Sequence, residues 1–183
     1  MRYEVEQKFR VPGFGAVERQ LAALGVGISE PLGEIDRYFA HPARDFVQTD
    51  EALRIRRGDK GASVTYKGPK VDTTTKTRHE IELPLDDERF EQWDELLRAL
   101  GFTAVAEVVK QRRKSFVAWE GRRIEVSLDE VRGVGTYIEL EVVTEDRELA
   151  EAREAIASLA RHLGLSENER RSYLELLLKG QGA

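Results

Sequence analysis

Cysteine is absent from the 183 residues, which excludes a disulfide framework, a thiol nucleophile and a cysteine-ligated metal. Histidine is scarce. His41, His79 and His162 are scattered without metal-ligand spacing, and each reads as an ordinary surface or core residue. No stretch rich in proline, glycine and serine divides the chain, so a single domain over 1–178 with a short tail at 179–183 is expected. No apolar run reaches membrane-spanning length and the N-terminus lacks a signal-like segment, so a soluble, cytoplasmic protein without a membrane partner is expected. A net charge of -5 argues against a broad surface for nucleic acid, while leaving room for a local basic cavity. No glycine-rich phosphate loop precedes a Lys-Ser/Thr pair, and Gly133-Val134-Gly135 reads as a hairpin turn.

Charge is what the chain has in excess. Charged residues make up 34% of the sequence against 40% hydrophobic, and they are mixed finely instead of sitting in blocks, as in a folded domain. Strand-like alternation recurs at Tyr3–Val11, Ile35–Phe39, Leu53–Arg57, Ser63–Lys67, Arg78–Leu83, Lys110–Val117, Arg122–Leu128 and Thr136–Val143. Helical stripes interrupt them. Phe14, Val17, Leu21 and Leu24 precede Gly25. Phe90, Trp93, Leu97 and Leu100 precede Gly101, with Asp86 or Asp87 as the expected cap. Leu149, Ala152, Ile156, Leu159 and Leu163 precede Gly164. Ser166-Glu167-Asn168-Glu169 reads as a capping box for a last helix carrying Tyr173, Leu174, Leu177 and Leu178. The first two helix stops are each followed by a basic-aromatic segment, Asp36-Arg37-Tyr38-Phe39 and Arg112-Arg113-Lys114-Ser115-Phe116. That spacing hints at a duplicated strand–helix–strand unit. The class is α+β with a mostly antiparallel sheet.

Side chains alternate between the faces of a strand. Glu4, Glu6 and Lys8 therefore point one way and Tyr3, Val5 and Phe9 the other. The same parity joins Arg54 with Arg56, leaves Lys67 opposite Tyr66, and groups Arg78 with Glu80 and Glu82. It also groups Lys110, Arg112 and Lys114; Arg123, Glu125, Ser127 and Asp129; and Glu139 with Glu141. Arg57 and Arg113 fall on the opposite parity. Two architectures fit these faces. An open sheet could leave its ionic side in water, where ion pairs contribute little. A sheet closed into a barrel would turn that side inward. The density of Arg and Glu, undiluted by Ser or Gln, favours the barrel, and eight strands suffice to close one. An interior rich in both signs calls for an anion and for cations, as a metal-bound polyphosphate provides; carboxylate oxygens suit Mg²⁺ or Mn²⁺.

These segments, in order, resemble the CYTH superfamily, the triphosphate tunnel metalloenzymes. Glu4-Val5-Glu6-Gln7-Lys8 matches its ExExK signature. The likeness continues through Asp36-Arg37-Tyr38-Phe39, Leu53-Arg54-Ile55-Arg56, Tyr66-Lys67-Gly68-Pro69, Arg78-His79-Glu80-Ile81-Glu82, Lys110-Gln111-Arg112, Leu128-Asp129 and Glu139-Leu140-Glu141 to Arg171-Ser172-Tyr173. It is strongest toward the class IV adenylyl cyclases. The resemblance implies an eight-stranded antiparallel tunnel with helices outside, binding a small-molecule triphosphate. It implies metal ligation by Glu4, Glu6, Glu139 and Glu141, with Asp129 and Glu80 and Glu82 nearby, and phosphate contacts from Lys8, Arg54, Arg56, Lys67, Arg78, Lys110 and Arg112. Catalytic roles would fall to Glu4, Glu6, Lys8 and Asp129. Gly68–Thr77, with Lys70, Lys76 and four threonines, reads either as a loop closing on substrate or as a plain connection. The implied activity is cyclisation of ATP to cyclic AMP and pyrophosphate. A triphosphatase acting on thiamine triphosphate, inorganic triphosphate or a nucleotide, and a non-catalytic binding module, stay open as alternatives. Apolar strand faces left bare by the helices would favour a homodimer.

Overall fold

The computed structural model describes residues 2–71, 75–86 and 89–180. Eight strands form one closed antiparallel barrel in the order β1-β5-β4-β3-β2-β6-β7-β8. They are β1 (Arg2–Arg10), β2 (Leu32–Ala40), β3 (Ala52–Gly58), β4 (Gly61–Lys70), β5 (Arg78–Leu85), β6 (Thr103–Trp119), β7 (Arg122–Val131) and β8 (Gly135–Glu145). Among the described residues the α-helices are α1 (Gly15–Ala23), α2 (Phe90–Ala99), α3 (Leu149–His162) and α4 (Tyr173–Gly180). Every expected strand and helix is present, most with longer bounds. The longest, β6, carries 17 residues because its first part pairs with β2 and its second with β7.

The apolar parity faces outward, and most of it lies beneath helices. Val5, Ile124, Val126, Leu128, Ile138 and Leu140 of β1, β7 and β8 pack against Val17 and Leu21 of α1 and against Ala152, Ile156 and Leu159 of α3. On the other flank Phe39 and Ile55 meet Phe90 and Leu97 of α2. Each fully buried aliphatic side chain contributes roughly 1.5–3 kcal/mol, so these two cores hold the barrel from outside. Ile81 and Leu83 of β5 stay 45% and 56% exposed. Arg57 lies over the Phe90 ring and Arg113 over the Phe14 ring, outside the barrel as their parity requires.

The helix stops act as expected. Gly25 and Gly101 take φ of 71° and 91°, a left-handed conformation that costs a side-chain-bearing residue far more. The helix starts differ. Arg89 immediately precedes α2, and its amide donates to the Asp86 carbonyl at 2.9 Å. Asp87 lies outside the described residues, as do Asp72, Thr73 and Thr74 of the Gly68–Thr77 stretch and residues 181–183 of the expected tail. The capping box of α4 is Ser172 with Glu175, not Ser166 with Glu169. The Ser172 amide donates to Glu175 Oε2 at 2.6 Å and the Glu175 amide to Ser172 Oγ at 3.1 Å. Both boxes satisfy the same S-x-x-E spacing, and only the second precedes an unbroken apolar stripe.

One seam of the barrel is short. β1 pairs with β8 over nine residues but with β5 only at Tyr3 and Glu4. Farther along the same edge of β1, the Lys76 amide donates to the Glu6 carbonyl at 2.9 Å and the Glu169 amide to the Lys8 carbonyl at 2.6 Å. Asn168 then bridges to Phe9.

Candidate active site

The inward parity encloses a cavity of about 920 Å³. Strand β1 presents Glu4, Glu6 and Lys8 to it, all buried, and β8 presents Glu139 and Glu141. The β1–β8 register sets Lys8 opposite Glu139 and Glu6 opposite Glu141, and the β7–β8 register sets Glu125 beside Glu141. A row of three carboxylates thus crosses three adjacent strands. Facing it are Arg54 and Arg56 from β3, Lys67 from β4, Arg78 and Glu80 from β5, and Lys110, Arg112 and Lys114 from β6.

The opposite charges pair, mostly between neighbouring strands. Lys67 Nζ lies 2.9 Å from Glu4 and 2.6 Å from Glu80. Lys114 Nζ lies 2.7 Å from Glu125, and Arg112 reaches both Asp129 and Glu139. Asp36 is the hub of the basic side: Arg56 approaches it at 2.5 Å, Lys110 at 3.1 Å and Arg54 at 3.2 Å. Arg54 keeps a buried Nε with no hydrogen-bond partner. An orphaned donor costs free energy that an entering phosphate oxygen would recover.

A sequence model of the CYTH domain matches residues 2–173. The chain belongs to the CYTH family. Adenylate cyclase CyaB of Aeromonas hydrophila is 32% identical over 181 residues, covering 96% of this chain and 88% of that protein. The Methanocaldococcus jannaschii protein MJ0240 is 38% identical over 176 residues, with 94% and 97% covered. Among solved structures, PH1819 from Pyrococcus horikoshii superposes with a TM-score of 0.84 at 42% identity, over 96% of this chain and 98% of that one.

Within the CYTH barrel, the residues singled out in the sequence occupy distinct positions. Glu4, Glu6, Lys8, Arg54, Arg56, Lys67, Arg78, Lys110, Arg112, Glu139 and Glu141 all line the one cavity, and Glu80 and Glu82 join them. Asp129 does not reach it. Fully buried behind Arg112, it also accepts a 2.8 Å hydrogen bond from the Tyr173 hydroxyl. Arg123 shares the inward parity of Glu125 yet sits 3.8 Å over the Phe116 ring, because alternation ceases to mean enclosure at the end of a strand. Asp36 and Lys76 carry more of the site than their sequence surroundings signal. Asp36 lies midway along β2, whose expected range of Ile35–Phe39 leaves out Glu34, its neighbour in parity, and Lys76 lies in a segment without periodicity.

Electrostatics separate the carboxylates of the CYTH cavity. Burial would raise Glu4, but Lys67 and Arg54 hold it down at about 2. Burial likewise opposes ionisation of Glu139, and Arg112, Lys8 and Lys76 overcome it, holding that carboxyl well below the usual range. Glu141 moves the other way. Burial and the charges of Glu4 and Glu125 push it well above an ordinary carboxyl. Burial raises Glu80 to about 7, with Lys67 opposing and Glu4 assisting. Among the described residues no three carboxylates or histidines are arranged to hold a metal ion, since Lys67 and Lys76 draw Glu4 and Glu6 toward themselves. The donor chemistry nevertheless fits a hard divalent cation: buried carboxylates on neighbouring strands, one of them destabilised by its neighbours' charge, would be relieved by it.

Proposed function

We propose that this CYTH protein is a divalent-cation-dependent enzyme acting on a triphosphate, and that its reaction is the class IV adenylyl cyclase conversion of ATP to cyclic AMP and pyrophosphate. The observation that carries the reading is the division of one buried cavity into a basic wall and an acidic wall. Arg54, Arg56, Lys67, Arg78, Lys110, Arg112 and Lys8 would hold phosphate oxygens. Such a set does the main work of phosphoryl chemistry, which needs positioning and charge neutralisation more than a covalent nucleophile. Glu4, Glu6, Glu139 and Glu141 would hold Mg²⁺ or Mn²⁺, and a bound cation would supply Lewis-acid stabilisation of charge on the reacting phosphate. Asp129 would fix the Arg112 fork against phosphate, and Asp36 would do the same for Arg54 and Arg56. Identity with CyaB across nearly the whole chain supports the cyclase over its rivals.

One feature favours a second reading. Both Glu139 and Glu141 line the cavity, and a complete pair suits a triphosphatase as well as a cyclase. Incubation with ATP, thiamine triphosphate and inorganic triphosphate, each with Mg²⁺ or Mn²⁺, separates the two. Cyclic AMP with pyrophosphate is expected. Phosphate released without cyclic AMP would replace the cyclase by a triphosphatase, and metal-dependent binding without turnover would leave a binding module. An ATP substrate argues for a cytoplasmic setting. The exposed Ile81 and Leu83 on β5 support pairing of two copies, which sedimentation would test.

A further inference from the structure

Lys76 lies just before β5, where β1 and β5 no longer pair. Its backbone amide is held by the Glu6 carbonyl, which turns its side chain into the cavity. The residue is 6% exposed, and its Nζ sits 2.6 Å from Glu6 Oε1. Thr75 and Thr77 on either side are also buried, with their hydroxyl oxygens 2.6 Å apart. A buried lysine costs far more than an exposed one unless it meets an opposite charge, and here that charge is Glu6, reinforced by Glu139. The same Lys76 crowds Lys8, whose amine is hydrogen-bonded only 2.5 Å from the Arg171 carbonyl and 4.1 Å above the Tyr173 ring.

Resting on the triphosphate reading above, we propose that Lys76 is a displaceable internal counter-cation. It neutralises Glu6 while the cavity is empty, and it transfers to a phosphate oxygen when a divalent cation takes Glu6. Metal alone would take from Lys76 its Glu6 partner and leave it beside the Lys8 ammonium, which the Arg171 carbonyl and the Tyr173 ring hold in place. Triphosphate alone would draw Lys76 away and strip Glu6 of its partner. Each ligand removes the penalty the other creates, so Lys76 adds a coupling between them beyond their own mutual attraction. Neither half of the substrate complex is then held tightly without the other.

The test is Mn²⁺ binding read from the electron paramagnetic resonance signal of the free ion, with and without a methylene-bridged, non-hydrolysable triphosphate. Lys76→Met should bind Mn²⁺ alone about tenfold more tightly than the wild type, a factor ordinary for couplings of this kind. The gain in affinity produced by the analogue should shrink by at least the same factor. Lys76→Arg, which keeps the charge, should behave as the wild type does. Lys76→Gln gives the same readout as Lys76→Met if the methionine variant fails to fold. Unchanged or weaker Mn²⁺ binding by both neutral variants, in a protein whose wild type binds Mn²⁺, overturns the role of Lys76. A wild type that binds neither Mn²⁺ nor the analogue overturns the triphosphate reading itself, and the role of Lys76 with it.

Discussion

Replacing Asp36 by Asn tests whether the basic wall of the cavity is assembled around a single carboxylate. Asp36 is 1% exposed and forms ion pairs with Arg54, Arg56 and Lys110. Asn preserves the volume and one acceptor but removes the charge, leaving three buried cations to share Glu34 and Glu80. Removing one member of a buried ion network costs about 3–5 kcal/mol. In a chain of this size each kcal/mol is worth roughly 2–4 °C, so a fall in Tm on the order of 10 °C is expected. Urea unfolding in the presence of a chelator gives the free energy directly. Inorganic triphosphate should recover more stability in Asp36→Asn than in the wild type, since it returns negative charge to the same three cations. The sign with pH is also fixed. Burial opposes ionisation of Asp36, yet its three cations hold the carboxyl well below 3.8. Its stabilisation is therefore fully present above the unfolded value and drains as pH falls below it. Asp36→Asn should lose that part of the acid dependence. A cost under about 1 kcal/mol, the worth of an exposed pair, would refute the hub.

Ile156→Ala, at the fully buried contact between α3 and the barrel, should cost about 2–5 kcal/mol by the same unfolding measurement and leave any metal binding intact. Glu80 has its folded value raised to about 7. Between the unfolded value of 4.5 and about 7 the folded state holds a proton that the unfolded state has lost, so the Glu80 contribution to metal-free stability falls as pH rises through that window. Glu80→Gln should flatten the fall without abolishing it, because Glu141 acts in the same direction. Glu141→Gln should raise metal-free stability at neutral pH, because it removes a carboxyl whose ionisation burial and the charges of Glu4 and Glu125 disfavour in the folded state, while lowering Mn²⁺ affinity at least tenfold. A variant that loses stability in chelator would show that Glu141 is not strained there.

Parity explains why so much of this site could be read from the chain. In a closed barrel the alternation of side chains decides inside from outside, so Glu4, Arg54, Lys110 and Glu139 could be assigned to one cavity from residues two apart. Parity alone gives no depth. It sends Asp129 and Glu139 inward alike, whereas only Glu139 meets the cavity and Asp129 stands behind Arg112. It also fails at strand ends, as Arg123 shows. Lys76 escapes it altogether, because its position depends on a hydrogen bond to Glu6, seventy residues away in the chain. The cap of the last helix misleads for a different reason. Two S-x-x-E sequences lie six residues apart, and only Ser172-Tyr173-Leu174-Glu175 leads directly into the stripe whose Leu174 and Leu177 pack on the barrel.

The short seam between β1 and β5 has a consequence for the integrity of the whole sheet. One edge of β1 is completed by three separate parts of the chain in turn: two residues of β5, the amide of Lys76, and the segment around Asn168 and Glu169. An uncovered strand edge is a template for pairing with other chains. A chain cut before Asn168 would still contain all eight strands, yet it would bare the part of β1 that carries Lys8 and Phe9. The last helix and the residues leading into it thus serve as a selvedge for the barrel, and their removal would be felt first as self-association.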